Sequence, residues 1–258
     1  MRCALLIEYD GTAFHGSQLQ RGVRTVQGEL ENALQRIFGS PIRLRMASRT
    51  DAGVHATGQV AVFDAEDRHE PVTLRDALNF HLPDDIAVRS VERVGSGFDP
   101  RRRAHHREYV FTLNDGDARS AIKRRTEVKT WKQMHVSDMV NAGASFVGSH
   151  DFASFVGPAT PPDAVTVRSV SEVRVERCED GQLRVTIVGN AFLHQQVRRM
   201  TGSLVRVGSG KLSQKELQNL LDQPRRGAAG WPLRPAGLCL TKIEFGKDGP
   251  FQVETEYN

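Results

Sequence analysis

The chain has 258 residues, of which 39% are hydrophobic and 26% charged, enough for one large domain or two small ones with real cores. No run approaches about 18 apolar residues, Glu8 stands where a signal peptide would still be apolar, and three separated cysteines fit neither a disulfide framework nor a zinc site. We therefore expect a cytoplasmic protein without a membrane span, and its formal charge of +4 permits a polyanionic partner without requiring one.

The first half of the chain predicts the order strand, helix, strand, strand, helix, strand. Apolar or alternating runs predict strands at residues 2–9, 42–47, 58–64 and 86–94. Thr25 is a candidate cap for a helix over residues 26–38, whose apolar residues follow helical spacing. Thr73 and Asp76 form a candidate capping box for a second helix that ends near His81.

The second half is predicted to repeat this order with one extra helix. Its strands are predicted at residues 107–113, 165–177, 182–190 and 238–245. The segment Glu179-Asp180-Gly181 is a strong hairpin signal between the middle two strands. Helices are predicted from Ser137 to about residue 147, over residues 192–207, and after a capping box of Ser213 and Glu216.

Two copies of one unit predict an α+β fold. The expected architecture is two ferredoxin-like, RNA-recognition-like βαββαβ halves related by a pseudo-two-fold, with a central antiparallel sheet and a cleft between them. We assign residues 1–100 to an N-terminal subdomain, 101–246 to a C-terminal subdomain and 247–258 to a polar tail that we expect to fray. The halves show no clear sequence similarity to each other, so element order alone supports this architecture.

Residues 48–59, S-R-T-D-A-G-V-H-A-T-G-Q, have the composition of a loop. Arg49 and Asp51 are two positions apart, so in an extended segment they would point to the same side. A carboxylate beside a guanidinium stays ionised, and an ionised, held Asp can act as a nucleophile. The same two residues can also form a structural ion pair that stiffens a turn without any chemistry.

The segment S-R-T-D-A-G-V-H-A resembles the signature loop of the tRNA pseudouridine synthase A family, usually G-R-T-D-x-G-V-H-A. In that family the Asp is the catalytic residue, which implies this role for Asp51. Other segments match family motifs in the same order, namely D-G-T-A-F-H-G-S-Q-L-Q from residue 10, L-N-F-H-L-P-D-D-I-A-V from 78, H-D-F-A-S-F from 150 and P-A-G-L-C-L from 235. Ser17 and Cys239 depart from the Trp and Tyr that are usual at these positions.

Three further site residues follow from the resemblance. The segment from Phe98 to Tyr109 is similar to the family's F-D-x-R-x-x-A-x-x-R-x-Y, in which the Tyr stacks on the target base and is a candidate for proton transfer at C5. The segment F-L-H-Q-Q-V-R-R-M from residue 192 resembles the family's F-L-x-x-x-V-R-x-x and implies that Arg198 binds substrate. Leu238 would form the apolar wall of the uracil pocket. By composition alone, Tyr109 and Leu238 would be core residues and Arg198 a solvated charge.

Basic residues are concentrated in several short clusters. Five of them are candidates for binding the phosphates of tRNA: Arg101, Arg102, Arg103, Arg107 and Arg199. Such clusters are also common on solvated faces that bind nothing. Several of them in one modest chain nevertheless favour a nucleic-acid partner.

The resemblance implies that uridine is isomerised to pseudouridine at positions 38, 39 and 40, in the anticodon arm of tRNA. It implies a homodimer, and a reaction that needs no cofactor or metal. Asp51 would attack C6 of the base or remove the C2′ proton, while Arg49 would hold Asp51 ionised and occupy the gap left by the flipped nucleotide. The alternatives are a non-catalytic RNA-binding protein of RNA-recognition-like fold, although stacking aromatics are few, and a hydrolase with an Asp nucleophile.

Overall fold

The computed structural model describes residues 1–247 and 249–251. The chain forms two compact units, one made of Met1–Arg107 with the segment from Leu240 onward, the other of Glu108–Cys239. Most of the predicted polar tail, 247–258, lies outside the described residues, and the predicted subdomain boundaries stay a prediction. No helix in the described ranges combines the length and apolar character that crossing a membrane requires.

The first unit joins a sheet to three helices. Its strands are β1 (Arg2–Tyr9), β2 (Arg45–Met46), β3 (His55–Asp64) and β4 (Ile86–Val94), and its helices are α1 (Val26–Phe38), α2 (Pro71–His81) and α3 (Pro100–Arg103). Strand β1 is central and runs antiparallel to both β3 and β4. The buried core includes Leu5, Ile7, Leu30, Leu34 and Phe63. The loop that carries Asp51 leads directly into the start of β3.

Three local predictions in the first unit can be compared with the structure. Thr25 caps α1 as predicted, because its hydroxyl accepts a hydrogen bond from the Gly28 amide. The capping box at Thr73 is wrong, since α2 begins at Pro71, a residue pre-shaped for a first helical position. The strand predicted at 42–47 is only Arg45–Met46, while β3 begins three residues earlier than predicted, at His55.

The second unit also joins helices to a sheet. Its strands are β5 (His106–Asn114), which begins at the end of the first unit, β6 (Val128–Lys129), β7 (Gly148–Asp151), β8 (Val167–Arg177) and β9 (Leu183–Gly189). Its helices are α4 (Val136–Ala144), α5 (Gln196–Gly208) and α6 (Gln214–Asp222). The sheet order is β5-β9-β8-β7, with β6 parallel to β5. Strands β8 and β9 form the predicted antiparallel hairpin. With helices and mostly antiparallel sheets in both units, the α+β class is confirmed.

Of the three helix starts predicted in the second unit, one is confirmed and two are wrong. The capping box of α6 is confirmed, because Ser213 accepts from the Glu216 amide and its own amide donates to the Glu216 carboxylate. Ser137 does not cap α4, which begins at Val136. Helix α5 begins at Gln196 instead of residue 192, because Gln195 has a left-handed φ of +60° that a helix interior does not accept.

The last strand, β10 (Leu238–Glu244), lies beside β3. The sequence predicted it as the closing strand of the second half. From Leu240 onward its residues belong to the first compact unit. A strand pairs with the backbone groups that it can reach, and element order along the chain does not reveal which strand carries them.

Candidate active site

The loop that carries Asp51 is anchored through the preceding residue, Thr50. The Thr50 amide donates to Ser17 Oγ at 2.9 Å, and the Ser17 amide donates to the Thr50 carbonyl at 3.1 Å. The Thr50 hydroxyl also hydrogen-bonds Tyr9 Oη at 2.8 Å. All three anchoring residues are buried. The backbone of Asp51 is therefore held from inside the first unit.

Gln59, a fully buried residue of β3, fixes the start of the same loop. Its amide nitrogen donates to the Ser48 carbonyl at 2.9 Å, and its amide oxygen accepts from the Ser48 amide at 3.3 Å. The same nitrogen lies 3.4 Å from Tyr9 Oη. Sequence reasoning missed Gln59 and Tyr9 as supports. The available signal was a polar amide inside an otherwise apolar strand, where burial demands hydrogen-bond partners.

Two glycines let residues 10–17 pack directly on the Asp51 loop. A Cβ on Gly11 would collide with the carbonyl of Val54. Gly16 has a φ of +93°, and a Cβ there would lie 2.9 Å from the Thr50 carbonyl oxygen. Both positions therefore require glycine, one for close backbone approach and the other for conformation as well. The Gly53 amide adds a hydrogen bond to the Phe14 carbonyl at 3.2 Å.

His55, at the far end of the loop, is buried and accepts a hydrogen bond. The Gly11 amide donates to His55 Nδ1 at 3.1 Å. Asp10 Oδ1 lies 3.2 Å from the same nitrogen. Asp10 also accepts from the amide and hydroxyl of Thr12, at 3.0 and 2.6 Å.

Asp51 is half-buried and Arg49 is exposed. The predicted ion pair between Arg49 and Asp51 stays a prediction. The exposed Arg49 projects from the anchored loop towards solvent.

Arg24 supports the packing of Phe14 beneath the loop, a role that the sequence did not indicate. Its guanidinium binds both carboxylate oxygens of Asp85, at 2.7 and 2.8 Å, and Glu29 at 2.7 Å. It also lies 4.2 Å above the centre of the Phe14 ring. The hydrogen bonds that Arg24 donates to Asp85 raise the pKa of Arg24 above its ordinary value, so this cation stays charged.

The other predicted substrate residues lie in the second unit. Tyr109, on β5, is buried and packs edge-to-face on Phe192, with ring centres 5.5 Å apart. Arg198, on α5, is half-buried and donates through Nε to the Leu233 carbonyl at 2.8 Å. Leu238, at the start of β10, is also buried. The edge-to-face contact fixes the orientation of the Tyr109 ring.

The five predicted phosphate-binding arginines fall into two groups. Arg101, Arg102 and Arg103 form the short helix α3 and are exposed. Arg107 and Arg199 are buried and donate to backbone carbonyls, Arg107 to residues 47, 101 and 104 and Arg199 to residues 227 and 230. Burial lowers the pKa of Arg199. This geometry favours a structural role for the two buried arginines.

The described residues contain no group of three or more His, Cys, Asp or Glu side chains placed to hold a metal ion. The anchored Asp51 loop therefore offers one carboxylate, on a rigid support, as its chemical group. Such a carboxylate can act as a nucleophile or as a base.

Comparison with known proteins identifies the family. The model of the tRNA pseudouridine synthase family matches residues 5–101 and 142–246. The chain is 40% identical to a tRNA pseudouridine synthase A of Geobacter sulfurreducens, over 93% of this chain and 98% of the relative. It is 39% identical to one of Shouchella clausii, over 95% of this chain and 94% of the relative.

Among solved structures, the chain is similar to one in a crystal structure of a Cbf5–Nop10–Gar1 complex. The TM-score is 0.36 and the identity 9%, over 80% of this chain and 54% of that chain. This likeness is too distant to bear on function. The family match covers most of both units, and the named relatives align over nearly the whole chain. We therefore conclude that the chain belongs to the tRNA pseudouridine synthase family.

Proposed function

We propose that this member of the family, an isomerase that converts uridine to pseudouridine in tRNA, acts at positions 38, 39 and 40 of the anticodon stem-loop. The observation that carries the proposal is the anchored loop around Asp51, which coincides with the family's signature motif. The reaction breaks the N1–C1′ bond, turns the uracil and joins C5 to C1′. C5 loses its proton to water and the freed N1 takes up a proton, so the product is an isomer of the uridine and no electron is gained or lost.

Asp51 serves as the nucleophile. Its carboxylate attacks C6 of the base or removes the C2′ proton, and either step requires an ionised oxygen held at a fixed position. The hydrogen bonds at Thr50 supply that position. Arg49, which is exposed, fills the gap that the flipped nucleotide leaves in the stack. Flipping itself costs about a few kcal/mol.

Tyr109 stacks on the target uracil and takes part in proton transfer at C5, and Leu238 forms the apolar wall beside the base. Arg198 contacts the substrate, while the exposed Arg101, Arg102 and Arg103 contact phosphates. The family resemblance supports a homodimer in the cytoplasm and ferredoxin-like βαββαβ halves as further parts of this proposal.

The test is release of tritium from tRNA labelled with [5-³H]uridine. Wild type should release tritium, Asp51→Ala should release none while it still binds tRNA, and Asp84→Ala, at an exposed carboxylate, should match wild type. Release by Asp51→Ala at the wild-type rate would remove Asp51 from the centre of the reaction. Binding without release by the wild type, across several tRNAs, would instead support the non-catalytic RNA-binding alternative.

A further inference from the structure

Trp231 exposes almost its whole side chain to solvent. It is one of two tryptophans in the chain and is 93% exposed. Single exposed apolar residues are ordinary on a protein surface. Trp231 differs in two respects, because its backbone is tightly held and exposed arginines lie near it in sequence or in space.

The backbone on both sides of Trp231 is fixed to helix α5. The buried guanidinium of Arg199 donates to the carbonyls of Gly227 and Gly230. On the other side, the Leu233 amide donates to the Arg198 carbonyl at 3.3 Å, and Arg198 Nε donates to the Leu233 carbonyl at 2.8 Å. The indole therefore projects from a rigid segment, and binding through it orders little additional backbone.

Exposed arginines accompany this segment. The set consists of one residue on α5 and three near Trp231 in sequence: Arg206, Arg225, Arg226 and Arg234. Within the described ranges, Arg206, Arg225 and Arg234 have no ion-pair partner within 4 Å, and Arg226 donates to the backbone carbonyls of Thr160, Pro161 and Pro162. Arg206 Nη1 would lie 3.7 Å from a Cβ on Gly230, next to Trp231. Arg206 also interacts electrostatically with the carboxylate of Glu216, while its guanidinium stays exposed.

An exposed ring on a rigid support, with an exposed guanidinium beside it and further exposed arginines nearby in sequence, fits one ligand class best. Unpaired bases stack on aromatic faces, and arginines bind the phosphates on either side of the base. A protein partner would favour a continuous apolar patch, whereas Trp231 stands between the half-buried Gly230 and Pro232 with charged side chains around it. The observations therefore favour RNA over protein.

We propose that Trp231, with Arg206, Arg225 and Arg234, forms a subsite that stacks on an unpaired nucleotide of the bound tRNA. The proposal takes its ligand, tRNA, from the proposed function and therefore rests on that function. It assigns to the chain an RNA contact in addition to the predicted residues Tyr109, Arg198 and Leu238.

The first experiment uses indole fluorescence as a local reporter. In a Trp131→Phe protein, Trp231 is the sole tryptophan, so its emission and its quenching by neutral acrylamide report on that ring alone. Saturating tRNA should change the emission and lower the acrylamide quenching constant at least about twofold, because a stacked base covers the ring. An RNA duplex without unpaired nucleotides should leave both unchanged.

The second experiment measures tRNA affinity by filter retention. Trp231→Ala should weaken binding about tenfold, the size of effect expected when one base–aromatic stack is removed. Trp231→Phe keeps a π-face and should stay within about threefold of wild type. Phe80→Ala removes another exposed aromatic, 84% exposed on α2, and should have no effect.

Several results would overturn the subsite. Emission and quenching unchanged in tRNA-saturated protein, or equal affinity of Trp231→Ala and wild type, would show that the ring does not meet the RNA. Emission that changes with protein concentration without RNA would assign the ring to contact between copies of the chain. No tRNA binding by wild type would remove the proposed function, and the subsite with it.

Discussion

Ser17 and Thr50 are joined by two hydrogen bonds that run in opposite senses. The Thr50 amide donates to Ser17 Oγ at 2.9 Å, and the Ser17 amide donates to the Thr50 carbonyl at 3.1 Å. Ser17 is completely buried. The resemblance to the family motif places Trp at this position, where this chain has Ser17. Its hydrogen bonds are made to Thr50, the residue directly before the proposed nucleophile, Asp51.

Ser17→Ala should lower kcat of tritium release about tenfold and leave KM within about twofold. The substitution leaves the buried Thr50 amide without its acceptor, a loss of about 1–3 kcal/mol that loosens the support of Asp51. Steady-state kinetics over a range of tRNA concentrations up to saturation provide the measurement. Ser40→Ala, at an exposed serine, is the matched control. An unchanged kcat, or a rise in KM alone, would contradict a positioning role.

Two substitutions at Tyr109 should separate stacking from proton transfer. Tyr109→Phe keeps the ring and its edge-to-face contact with Phe192, so tRNA affinity should be unchanged while kcat falls at least about 100-fold, within the range of general acid–base contributions. Tyr109→Leu should weaken tRNA binding as well, because it removes the stacking face. Wild-type turnover by Tyr109→Phe would assign the C5 proton to another group.

Removing the exposed charges of α3 should change the salt dependence of tRNA binding. An arginine that neutralises one phosphate contributes about 1 to the slope of log K against log salt, so Arg101→Gln, Arg102→Gln and Arg103→Gln should each reduce the slope by about that amount. Arg36→Gln, at an exposed position on α1, is the control. Equal slopes for all four variants and wild type would place these arginines away from the RNA. The slopes are obtained from tRNA affinities measured at salt concentrations from about 50 to 200 mM.

The ion pair between Asp115 and Arg177 should make the second unit less stable at acid pH. Both oxygens of the buried Asp115 carboxylate accept from Arg177, at 2.8 and 2.7 Å, and these bonds hold the pKa of Asp115 below its ordinary value. A depressed carboxyl pKa stabilises the fold above the unfolded pKa of about 3.9. That stabilisation is lost as pH falls through the folded value.

Asp115→Asn should therefore lower the free energy of unfolding by about 2–3 kcal/mol at pH 7. The difference from wild type should shrink as pH falls below about 4, where the carboxyl of the unfolded chain becomes protonated, and be smallest below the lower folded pKa of Asp115. Urea unfolding at a series of pH values measures it. Asp180→Asn, which breaks an exposed pair with Lys123, should leave the midpoint unchanged. A difference that stays constant with pH would show that charge is not the cause.

The elements best predicted from sequence were those with complete local signals. The periodicity of α1 together with its Thr25 cap gave the helix bounds, and the Ser213 capping box gave the start of α6. The start of α5 was wrong because the left-handed Gln195 has no sequence signature. The Arg49–Asp51 pair stays a prediction, because spacing places two side chains on one side without showing that they are in contact.

By itself, the sequence determined the α+β class, the loop around Asp51 and the family, because these depend on local patterns and a fixed motif. Tertiary structure alone decided that β10 lies beside β3 and that Ser17 and Gln59 support the loop. It also decided that Arg107 and Arg199 are buried while Trp231 is exposed. These outcomes depend on which distant backbone groups need partners after folding. Residue type and spacing do not show which of these distant groups pair with each other.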